Sequence, residues 1–265
     1  MNKQILITGA ARNTGYTTAM LYASRGWDVH ITSRTLADAQ RAAAEIMEKY
    51  PAVKVYAYAA DISKYEDITA LFAAVKENAG RLDAFVANAA HLGVGADVFT
   101  TDEQLFDAIC DTNIKGTFFT CKEAARLMGT AGGSIVIMSS VQSKGAIEGR
   151  TVYALSKGAL NVLSEFLAFD LAPYHIRCNT IIAGAIHTER WDVLDEATCA
   201  ARRANYITGR EADGIDIAEG IYFLTSDAAK STTGTQLTID SGVLVPILPY
   251  PSRKEYIHEG FSLVD

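Results

Sequence analysis

The sequence has little of what marks membrane, nucleic-acid-binding or metal-binding proteins. No apolar stretch reaches the roughly 18 residues that a membrane-spanning helix needs. Lysines and arginines form no run and the net charge is −7, which makes nucleic acid and anionic membranes poor partners. The histidines are scattered, so no metal site is predicted. Without Cys-x-x-Cys pairs, buried and reduced thiols are expected rather than zinc ligands or disulfides at Cys110, Cys121, Cys178 and Cys199.

There is also no room for a secretory signal before the first strand. The apolar run of that strand begins directly after Gln4, where the charged and apolar regions of a signal would have to stand. A cytoplasmic protein is therefore expected. A chain of 265 residues, 49% hydrophobic and 21% charged, suits one large α/β domain better than two small ones.

Short β-rich runs alternate with longer helical patterns along most of the chain. Several runs are apolar throughout, as expected of strands buried on both faces of a sheet. The alternation indicates right-handed βαβ units and a doubly wound parallel sheet covered by helices on both sides. Strands are predicted near 3–8, 28–33, 54–60, 82–87, 133–139, 176–182 and 235–239, and helices near 15–26, 36–49, 65–78, 102–128, 151–172 and 215–226.

Two segments interrupt this alternation. Residues 187–214 form a long insertion of mixed charge, which is expected to be a flexible lid over the substrate. Residues 243–265 form a C-terminal tail, which Pro246, Pro249 and Pro251 make extended rather than helical. The tail is expected to cross to a neighbouring subunit.

A glycine-rich turn lies between the first strand and the first helix and contains Gly9, Arg12, Asn13, Thr14 and Gly15. In parallel sheets such a turn presents backbone N–H groups and the positive helix end to a pyrophosphate. The spacing resembles TGxxxGxG, the nucleotide motif of the short-chain dehydrogenase/reductase family, with Asn13 in place of the middle glycine. Asparagine tolerates positive φ better than most residues, so a nucleotide site is expected, with Asn13 as a possible hydrogen-bond donor. An ordinary βα turn is the alternative.

The resemblance covers residues 3–242. It implies a single Rossmann-like domain over residues 1–265, with a seven-stranded parallel sheet in the order 3-2-1-4-5-6-7. The segment after the fourth strand is similar to the family's Asn-Asn-Ala-Gly motif, and residues 179–188 are similar to NxxxPGxxxT, which holds the nicotinamide carboxamide. Asp61 and Ile62, after the third strand, are similar to the family's pair of an aspartate and a hydrophobic residue that contacts the adenine. The three motifs imply cofactor contacts from Asp61, Ile62, Asn88, Gly184, Ile186 and Thr188.

The type of cofactor is expected to depend on the end of the second strand. An acid about 20 residues after the glycines would bind a ribose 2′-hydroxyl and repel a 2′-phosphate. Asp28 has this spacing but starts the strand, whose end reads Ser33 and Arg34. Arg34 and Arg12 can converge on one phosphate, and in the family basic residues at these positions accompany NADPH. The sequence therefore favours NADP(H) over NAD.

The spacing Tyr-x-x-x-Lys occurs three times, and the copies that begin at Tyr50 and Tyr250 contain a proline. Only Tyr153 and Lys157 lie in a helical pattern, where residues four apart are neighbours. A lysine beside a tyrosine favours the phenolate, so Tyr153 can give a proton to a carbonyl oxygen or take it from an alcohol. The family's divergent enoyl reductases space the two residues further apart, and that branch is disfavoured.

The resemblance implies a catalytic set of Asn113, Ser140, Tyr153 and Lys157. Ser140 would bind the substrate oxygen and stands thirteen residues before Tyr153, the family's spacing, with Ser139 as the runner-up. Asn113 would hold Lys157 in position through a bridging water. Without the resemblance, its place in the sequence would predict an asparagine on the surface of a helix. A protein that binds NADPH as a sensor or scaffold without chemistry is the alternative class of function.

The substrate is less well defined by the sequence. Candidate pocket residues are His91, Gln142, Ile147, His187 and Trp191. Among the residues near the pocket, Gln142, His187, Glu189 and Arg190 favour a polar small molecule such as a sugar, polyol or hydroxy acid. A steroid or bile-acid alcohol is the alternative, because Trp191, Ile147 and the aromatic tail could line an apolar cleft, although Trp191 could equally anchor the lid. Ala131 and Tyr174 stand where carrier-protein ketoreductases of the family carry arginines, which argues against a carrier-bound substrate. Members of the family are commonly tetramers, so a homotetramer or homodimer is expected.

Overall fold

The computed structural model describes residues 2–246, in which seven parallel strands form one sheet. The strands are β1 (Gln4–Ile7), β2 (Asp28–Ser33), β3 (Val55–Ala59), β4 (Ala84–Ala87), β5 (Gly133–Ser140), β6 (Ile176–Ala183) and β7 (Gln236–Ile239). Their order across the sheet is β3-β2-β1-β4-β5-β6-β7, which confirms the predicted order. The chain therefore leaves β1 in one direction across the sheet and continues from β4 in the other.

The central strands are apolar throughout because both faces of the sheet are covered. Every residue of β1 and of β4 is buried. Side chains alternate between the two faces, so Ile5 and Ile7 pack into one core and Leu6 into the other. Burial of each such side chain stabilises the fold by roughly 1.5–3 kcal/mol. The result is a rigid platform for the loops at the carboxyl ends of the strands.

Helices cover both faces of this sheet. They are α1 (Asn13–Ser24), α2 (Leu36–Lys49), α3 (Tyr65–Ala79), the short α4 (Glu103–Cys110), α5 (Thr117–Met128), α6 (Thr151–Asp170) and, after the insertion, α9 (Gly214–Thr225). Helices α1, α2 and α9 pack against one core, and α3, α5 and α6 pack against the other.

The helix predicted over 102–128 is not one regular helix. Residues Asp111–Gly116 form a π-helical turn between α4 and α5. This wider turn points the Asn113 side chain inward, where it makes three hydrogen bonds that offset the poorer packing of the turn. Gly116 is needed at its end, because a Cβ there would lie 2.5 Å from the Ile62 carbonyl oxygen. The hydrophobic pattern cannot reveal such a turn, since a period of 3.6 runs through both flanking helices.

The insertion at 187–214 contains two short helices, α7 (Glu189–Asp192) and α8 (Glu196–Arg203). The Asp195 side chain caps α8 by accepting a hydrogen bond from the backbone N–H of Thr198 at 2.8 Å. The first residues of the tail do not extend but turn over Asp240, whose carboxylate accepts from the N–H of Leu244 at 3.0 Å. The rest of the predicted tail, 247–265, lies outside the described residues.

All four cysteines are free thiols. Cys121, Cys178 and Cys199 are buried, as expected, but Cys110 is only half-buried, because the end of α4 packs against a small cluster at the rim of the fold rather than against the sheet. Between residues 2 and 246, no helix is both long and apolar enough to cross a membrane.

Candidate active site

The loops that follow β1 and β4 are clamped together where the order of strands reverses. The Asn88 amide Nδ2 donates to the carbonyl oxygens of Thr8 at 2.9 Å and Gly9 at 3.1 Å. A Cβ on Gly9 would lie 2.9 Å from the Cα of Ala89, and one on Gly15 would lie 2.7 Å from the Asn88 Nδ2. The two glycines are therefore required for this close approach, which forms a cradle at the point where open α/β sheets bind ligands.

Asn13, which stands in place of the motif's middle glycine, adopts a backbone conformation that favours glycine. Its φ is 51°, in the left-handed region that asparagine tolerates. Gly9 has a φ of 65° in the same turn. From Asn13 the chain enters α1, where Thr17 and Thr18 bond back to the carbonyl oxygens of Asn13 and Thr14. The substitution of asparagine for glycine is thus compatible with a nucleotide-binding turn.

The ends of β1 and β2 bring two arginines to the same edge of the sheet. The N–H of Ala10 donates to the Thr32 carbonyl at 2.9 Å, which holds the cradle beside the end of β2. Arg12 is exposed, with Glu189 of the insertion 4.0 Å away, and Arg34 is exposed directly after the half-buried Ser33. The sequence did not indicate a third arginine in α2, Arg41, whose Nη2 donates to the Ala11 carbonyl at 3.4 Å.

Asp28 lies at the opposite end of β2, as the sequence indicated. Its buried carboxylate accepts from the amides of Asn2 and Gln4 at 3.0 Å each and from the backbone N–H of Lys54 at 2.9 Å. Although burial alone would raise the pKa of this carboxyl, these hydrogen bonds lower it overall. Asp28 is a structural residue, so no acid ends β2.

After β3, the half-buried Asp61 accepts from the N–H and the hydroxyl of Ser63 at 3.1 and 2.7 Å. Ile62 is buried beside it and its carbonyl contacts Gly116. The pair therefore lies at the same edge of the sheet, with the Ile62 carbonyl packed against Gly116 at the end of the π-helical turn.

Tyr153 and Lys157 lie on one face of α6 and are both buried. The Lys157 Nζ is 5.5 Å from the centroid of the Tyr153 ring and donates to the Met138 carbonyl of β5 at 2.7 Å. Burial lowers the pKa of Lys157 to about 8. The helix thus holds an ammonium group beside the tyrosine ring at the end of β5.

The two serines at the end of β5 differ in what they contact. The Ser139 hydroxyl donates to the Lys157 carbonyl at 3.1 Å and so joins β5 to α6. The Ser140 oxygen accepts from the N–H of Gln142 at 3.2 Å, which leaves its own hydrogen for another acceptor. This difference supports Ser140 over Ser139 as the group that meets a substrate oxygen.

Asn113 is fully buried, so it is not the surface asparagine that its position alone would suggest. Its Oδ1 accepts from the N–H of His91 at 2.7 Å, and its Nδ2 donates to the His91 carbonyl and to the Ser156 hydroxyl at 2.9 Å each. Ser156 in turn donates to the Tyr153 carbonyl at 2.7 Å. Asn113 therefore fixes the segment after β4 to α6, and Ser156 is a site residue that the sequence reading missed although it directly precedes Lys157.

The segment after β6 runs close to the end of β7. A Cβ on Gly184 would lie 2.6 Å from the Cα of Asp240, and the Gly184 N–H donates to the Ile239 carbonyl at 2.9 Å. Ile186 pairs with Ala212 in an isolated bridge, and the half-buried Thr188 precedes α7. Gly184, Ile186 and Thr188 thus follow one another along the same edge as the cradle.

His187 is not a free pocket residue. Its Nδ1 lies 3.1 Å from the Glu211 carboxylate and its Nε2 lies 2.9 Å from that of Asp192. Glu211 is buried, and its carboxylate also accepts two hydrogen bonds from the Arg203 guanidinium of α8, at 2.8 and 2.9 Å. Arg203 lowers the pKa of Glu211 to about 2, and Glu211 followed by Asp192 raises the pKa of His187. Sequence analysis did not identify Glu211, because an acidic residue in an insertion of mixed charge is expected to be exposed to solvent.

Two other predicted substrate residues keep polar atoms near the site. His91 is half-buried and accepts from the Gly93 N–H at 3.2 Å. Gln142 is half-buried, and its Oε1 has no partner among the residues that the structure describes. Trp191 instead is buried and its ring stacks on His187, with 6.2 Å between ring centroids, so it anchors the insertion. The side chain of Arg190 lies outside the described part.

Comparisons with known proteins agree with this geometry. A family model described as enoyl-(acyl carrier protein) reductase matches residues 9–244. The chain is 32% identical to the 3-oxoacyl-[acyl-carrier-protein] reductase of Bos taurus, over 92% of this chain and 98% of that one. It is 33% identical to trans-4-hydroxycyclohexanecarboxylate dehydrogenase of Sinomonas cyclohexanicum, over 91% and 92%.

Two solved structures are similar over nearly the whole described fold. A short-chain type dehydrogenase/reductase from Mycobacterium marinum superposes with a TM-score of 0.84 at 29% identity, over 92% of this chain and 96% of that one. An NAD+-bound xylitol dehydrogenase gives a TM-score of 0.84 at 28% identity, over 91% and 98%. With the cradle, the strand order and the Tyr153–Lys157 pair, these matches show that the chain is an oxidoreductase of the short-chain dehydrogenase/reductase family, whose members use a nicotinamide cofactor.

Proposed function

We propose that the protein interconverts a secondary alcohol and a ketone or aldehyde, with NADP(H) as cofactor and Tyr153 as acid and base. The observation that carries this proposal is the Tyr153–Lys157 pair on α6, whose lysine bonds to Met138 of β5, the strand that ends at Ser140. The cradle fits a dinucleotide, because the first backbone N–H groups of α1, which begins at Asn13, have no partner within the helix. These N–H groups and the positive end of the helix can bind a pyrophosphate.

The cofactor, when bound, supplies or accepts the hydride. Tyr153 donates its phenolic proton to the carbonyl oxygen during reduction and takes a proton from the alcohol during oxidation. The charge of Lys157, 5.5 Å from the ring centroid, stabilises the phenolate that results. Ser140 donates its free hydroxyl hydrogen to the same substrate oxygen and stabilises the charge that develops there. Asn113 acts through the His91 segment and α6 and is a positioning residue.

The remaining proposed roles follow the edge of the sheet. The turn after β1 would hold the pyrophosphate, the pair after β3 the adenine, and the segment after β6 the nicotinamide, while Tyr153 and Lys157 would also contact its ribose. The proposed cofactor contacts are Gly9, Arg12, Asn13, Thr14, Gly15, Ser33, Arg34, Asp61, Ile62, Asn88, Tyr153, Lys157, Gly184, Ile186 and Thr188.

The preference for NADP(H) rests on Arg12 and Arg34 and on the absence of an acid after β2. Arg34→Ala is expected to raise the Michaelis constant for NADPH about 10- to 100-fold, because a charge-assisted contact to the 2′-phosphate contributes about 1.5–3 kcal/mol. The constant for NADH should change little, since NADH lacks that phosphate. Steady-state rates at varied concentrations of NADPH and of NADH measure the two Michaelis constants. Arg126→Ala, on the surface of α5, is the matched control, and equal changes for NADPH and NADH would refute the preference for NADP(H).

A polar small molecule remains the favoured substrate. The half-buried His91 and the unpartnered Oε1 of Gln142 support it, and so does similarity to a dehydrogenase of a hydroxycyclohexanecarboxylate. His187 no longer supports it, because its ring is held by two carboxylates. The alternative substrate is a hydroxysteroid or bile acid. Trp191 is buried in the insertion and no longer supports this alternative, whereas the exposed Ile147 could still line an apolar cleft. The insertion at 187–214 is proposed as the lid.

We also propose that the protein assembles as a homotetramer or homodimer through α6. Leu155, Val162, Phe166 and Phe169 expose 55–82% of their surface along this helix, and Phe118 of α5 is exposed too. Contiguous apolar patches of this kind mark protein interfaces.

Phe166→Glu combined with Phe169→Glu is expected to reduce the particle to a smaller species, because charges at the centre of an apolar interface oppose its burial. Light scattering coupled to gel filtration measures the mass. Met47→Glu, a half-exposed apolar position on α2, should leave the mass unchanged. A double variant with the mass of the wild type would place the interface elsewhere.

A further inference from the structure

A second cation besides Lys157 lies against Tyr153. Arg150 immediately precedes α6, and its guanidinium carbon is 5.9 Å from the centroid of the Tyr153 ring. It is half-buried, and its Nη1 donates to the Leu92 carbonyl at 2.6 Å. The acid/base residue of the site therefore has a guanidinium on its ring as well as an ammonium.

Arg150 is held in place by the chain on both sides of it. The N–H of Thr151 donates to the Ala96 carbonyl at 2.9 Å, and Ala96 pairs with Arg150 in an isolated bridge. Gly93, one residue beyond Leu92, has a φ of 53°, and a Cβ there would lie 2.6 Å from the Ile109 Cδ1 and in ordinary contact, at 3.7 Å, with the Tyr153 Cβ. The segment 92–96 and the start of α6 thus form one wall, and Arg150 is fixed in it rather than free in solvent.

Among the described residues, no carboxylate pairs with the two cations beside Tyr153. In the region from residue 2 to 246, no carboxylate oxygen lies within 4.0 Å of Arg150 or Lys157, whereas Arg25 and Arg203 each contact one at 2.6–2.8 Å. Only one of the five N–H donors of Arg150 has a partner among these residues. Partly buried charges are stable when paired, and the planar fork of a guanidinium matches a carboxylate.

We propose that Arg150 binds a carboxylate of the substrate, so that the substrate is an oxo acid or hydroxy acid with its carboxylate a few bonds from the reacting carbon. Arg150 then selects the substrate and positions it, while Tyr153 and Ser140 act on the oxygen of the neighbouring carbon. This inference rests on the proposed oxidoreductase function. It ranks hydroxy acids above neutral sugars, polyols and neutral steroids.

The test compares acids with their uncharged esters. Rates of NADPH oxidation are measured with 2-, 3- and 4-oxopentanoate and with the methyl ester of each, which presents the same ketone without the charge. The wild type should prefer at least one acid over its ester in kcat/KM. In Arg150→Gln the ratio of acid to ester should fall about 10- to 100-fold, mainly through KM for the acid, because one charge-assisted fork is lost.

Two further variants separate a lost charge from a damaged site. Arg150→Lys keeps the charge without the fork and should recover part of the preference for the acid. Lys144→Gln removes an exposed cation from the preceding loop and should leave the ratio at the wild-type value. Equal rates on acid and ester in the wild type, or equal losses on both in Arg150→Gln and Arg150→Lys, would overturn the inference.

Binding without turnover keeps this result separate from the proposed reaction. The complex with NADP+ is titrated calorimetrically with pentanoate and pentanamide, neither of which carries a ketone. Tighter binding of pentanoate that is lost in Arg150→Gln supports the anion site even if no ketone is reduced, an outcome that would count against the proposed reaction alone. Binding of pentanoate that does not depend on Arg150 overturns the inference whatever the turnover.

Discussion

Tyr153→Phe is expected to lower turnover by about 100- to 10,000-fold on any substrate that the wild type accepts, because positioned proton transfer contributes that much. The phenylalanine ring keeps the packing on α6 and leaves Lys157 in place, so the affinity for NADPH should change far less than turnover. Initial rates follow the absorbance of NADPH, and its fluorescence reports binding.

Tyr174→Phe is the matched control for this variant. Tyr174 lies just beyond the other end of α6 and is 48% exposed, so the loss of its hydroxyl should leave rates at the wild-type level. Full turnover by Tyr153→Phe would show that the proposed acid/base is wrong. A wild type that binds NADPH but reduces no carbonyl in a broad panel would instead favour a sensor or scaffold.

Lys157→Met is expected to abolish most turnover and at the same time to stabilise the fold near pH 7. Burial lowers the pKa of Lys157 from 10.5 to about 8 in the folded protein. Below pH 8 the folded protein therefore carries a buried charge, which destabilises it by about 3 kcal/mol relative to the unfolded chain. Loss of the charge-assisted hydrogen bond to Met138 offsets about 2 kcal/mol, which leaves a net gain of about 1 kcal/mol.

The sign of this effect can be checked against pH. Between pH 8 and 10.5 the unfolded chain binds more protons at this residue than the folded protein, so wild-type stability rises there and the advantage of Lys157→Met disappears. Urea unfolding of the wild type and of Lys157→Met at pH 7 and pH 10 measures the difference in their free energies of unfolding. Lys144→Met, at an exposed lysine, is the control. A variant less stable than the wild type at pH 7 would mean that Lys157 contributes to folding.

Much of the fold follows from the sequence because its signals are local. The apolar runs and the glycine turn predict the strands and the cradle, and the order across the sheet follows from the family resemblance. The positive φ of Asn13 was likewise expected from its residue type. The candidate site is less predictable from the sequence than the fold, because several of its contacts join segments that are far apart in the chain.

His187 shows where sequence reasoning reaches its limit. A histidine beside a proposed nicotinamide segment reads as a ligand of the substrate, yet its partner Glu211 stands 24 residues later and is buried by the return of the chain to Ile186. Arg150 shows the reverse case. Its significance depends on the distance to the Tyr153 ring and on the missing carboxylate, and neither is visible in a string of letters.

The π-helical turn at Asp111–Gly116 makes chain length itself a determinant of this site. Such a turn holds one residue more than the α-helical path between the same two helices, and one residue corresponds to about 100° of rotation. A deletion of one codon within this turn would let α4 and α5 join as a regular helix and would rotate Asn113 away from His91 and Ser156. The fold would keep its strands and its acid/base pair, yet the loop after β4 would lose its tether. Among homologues, the number of residues in this turn is therefore as informative as their identity.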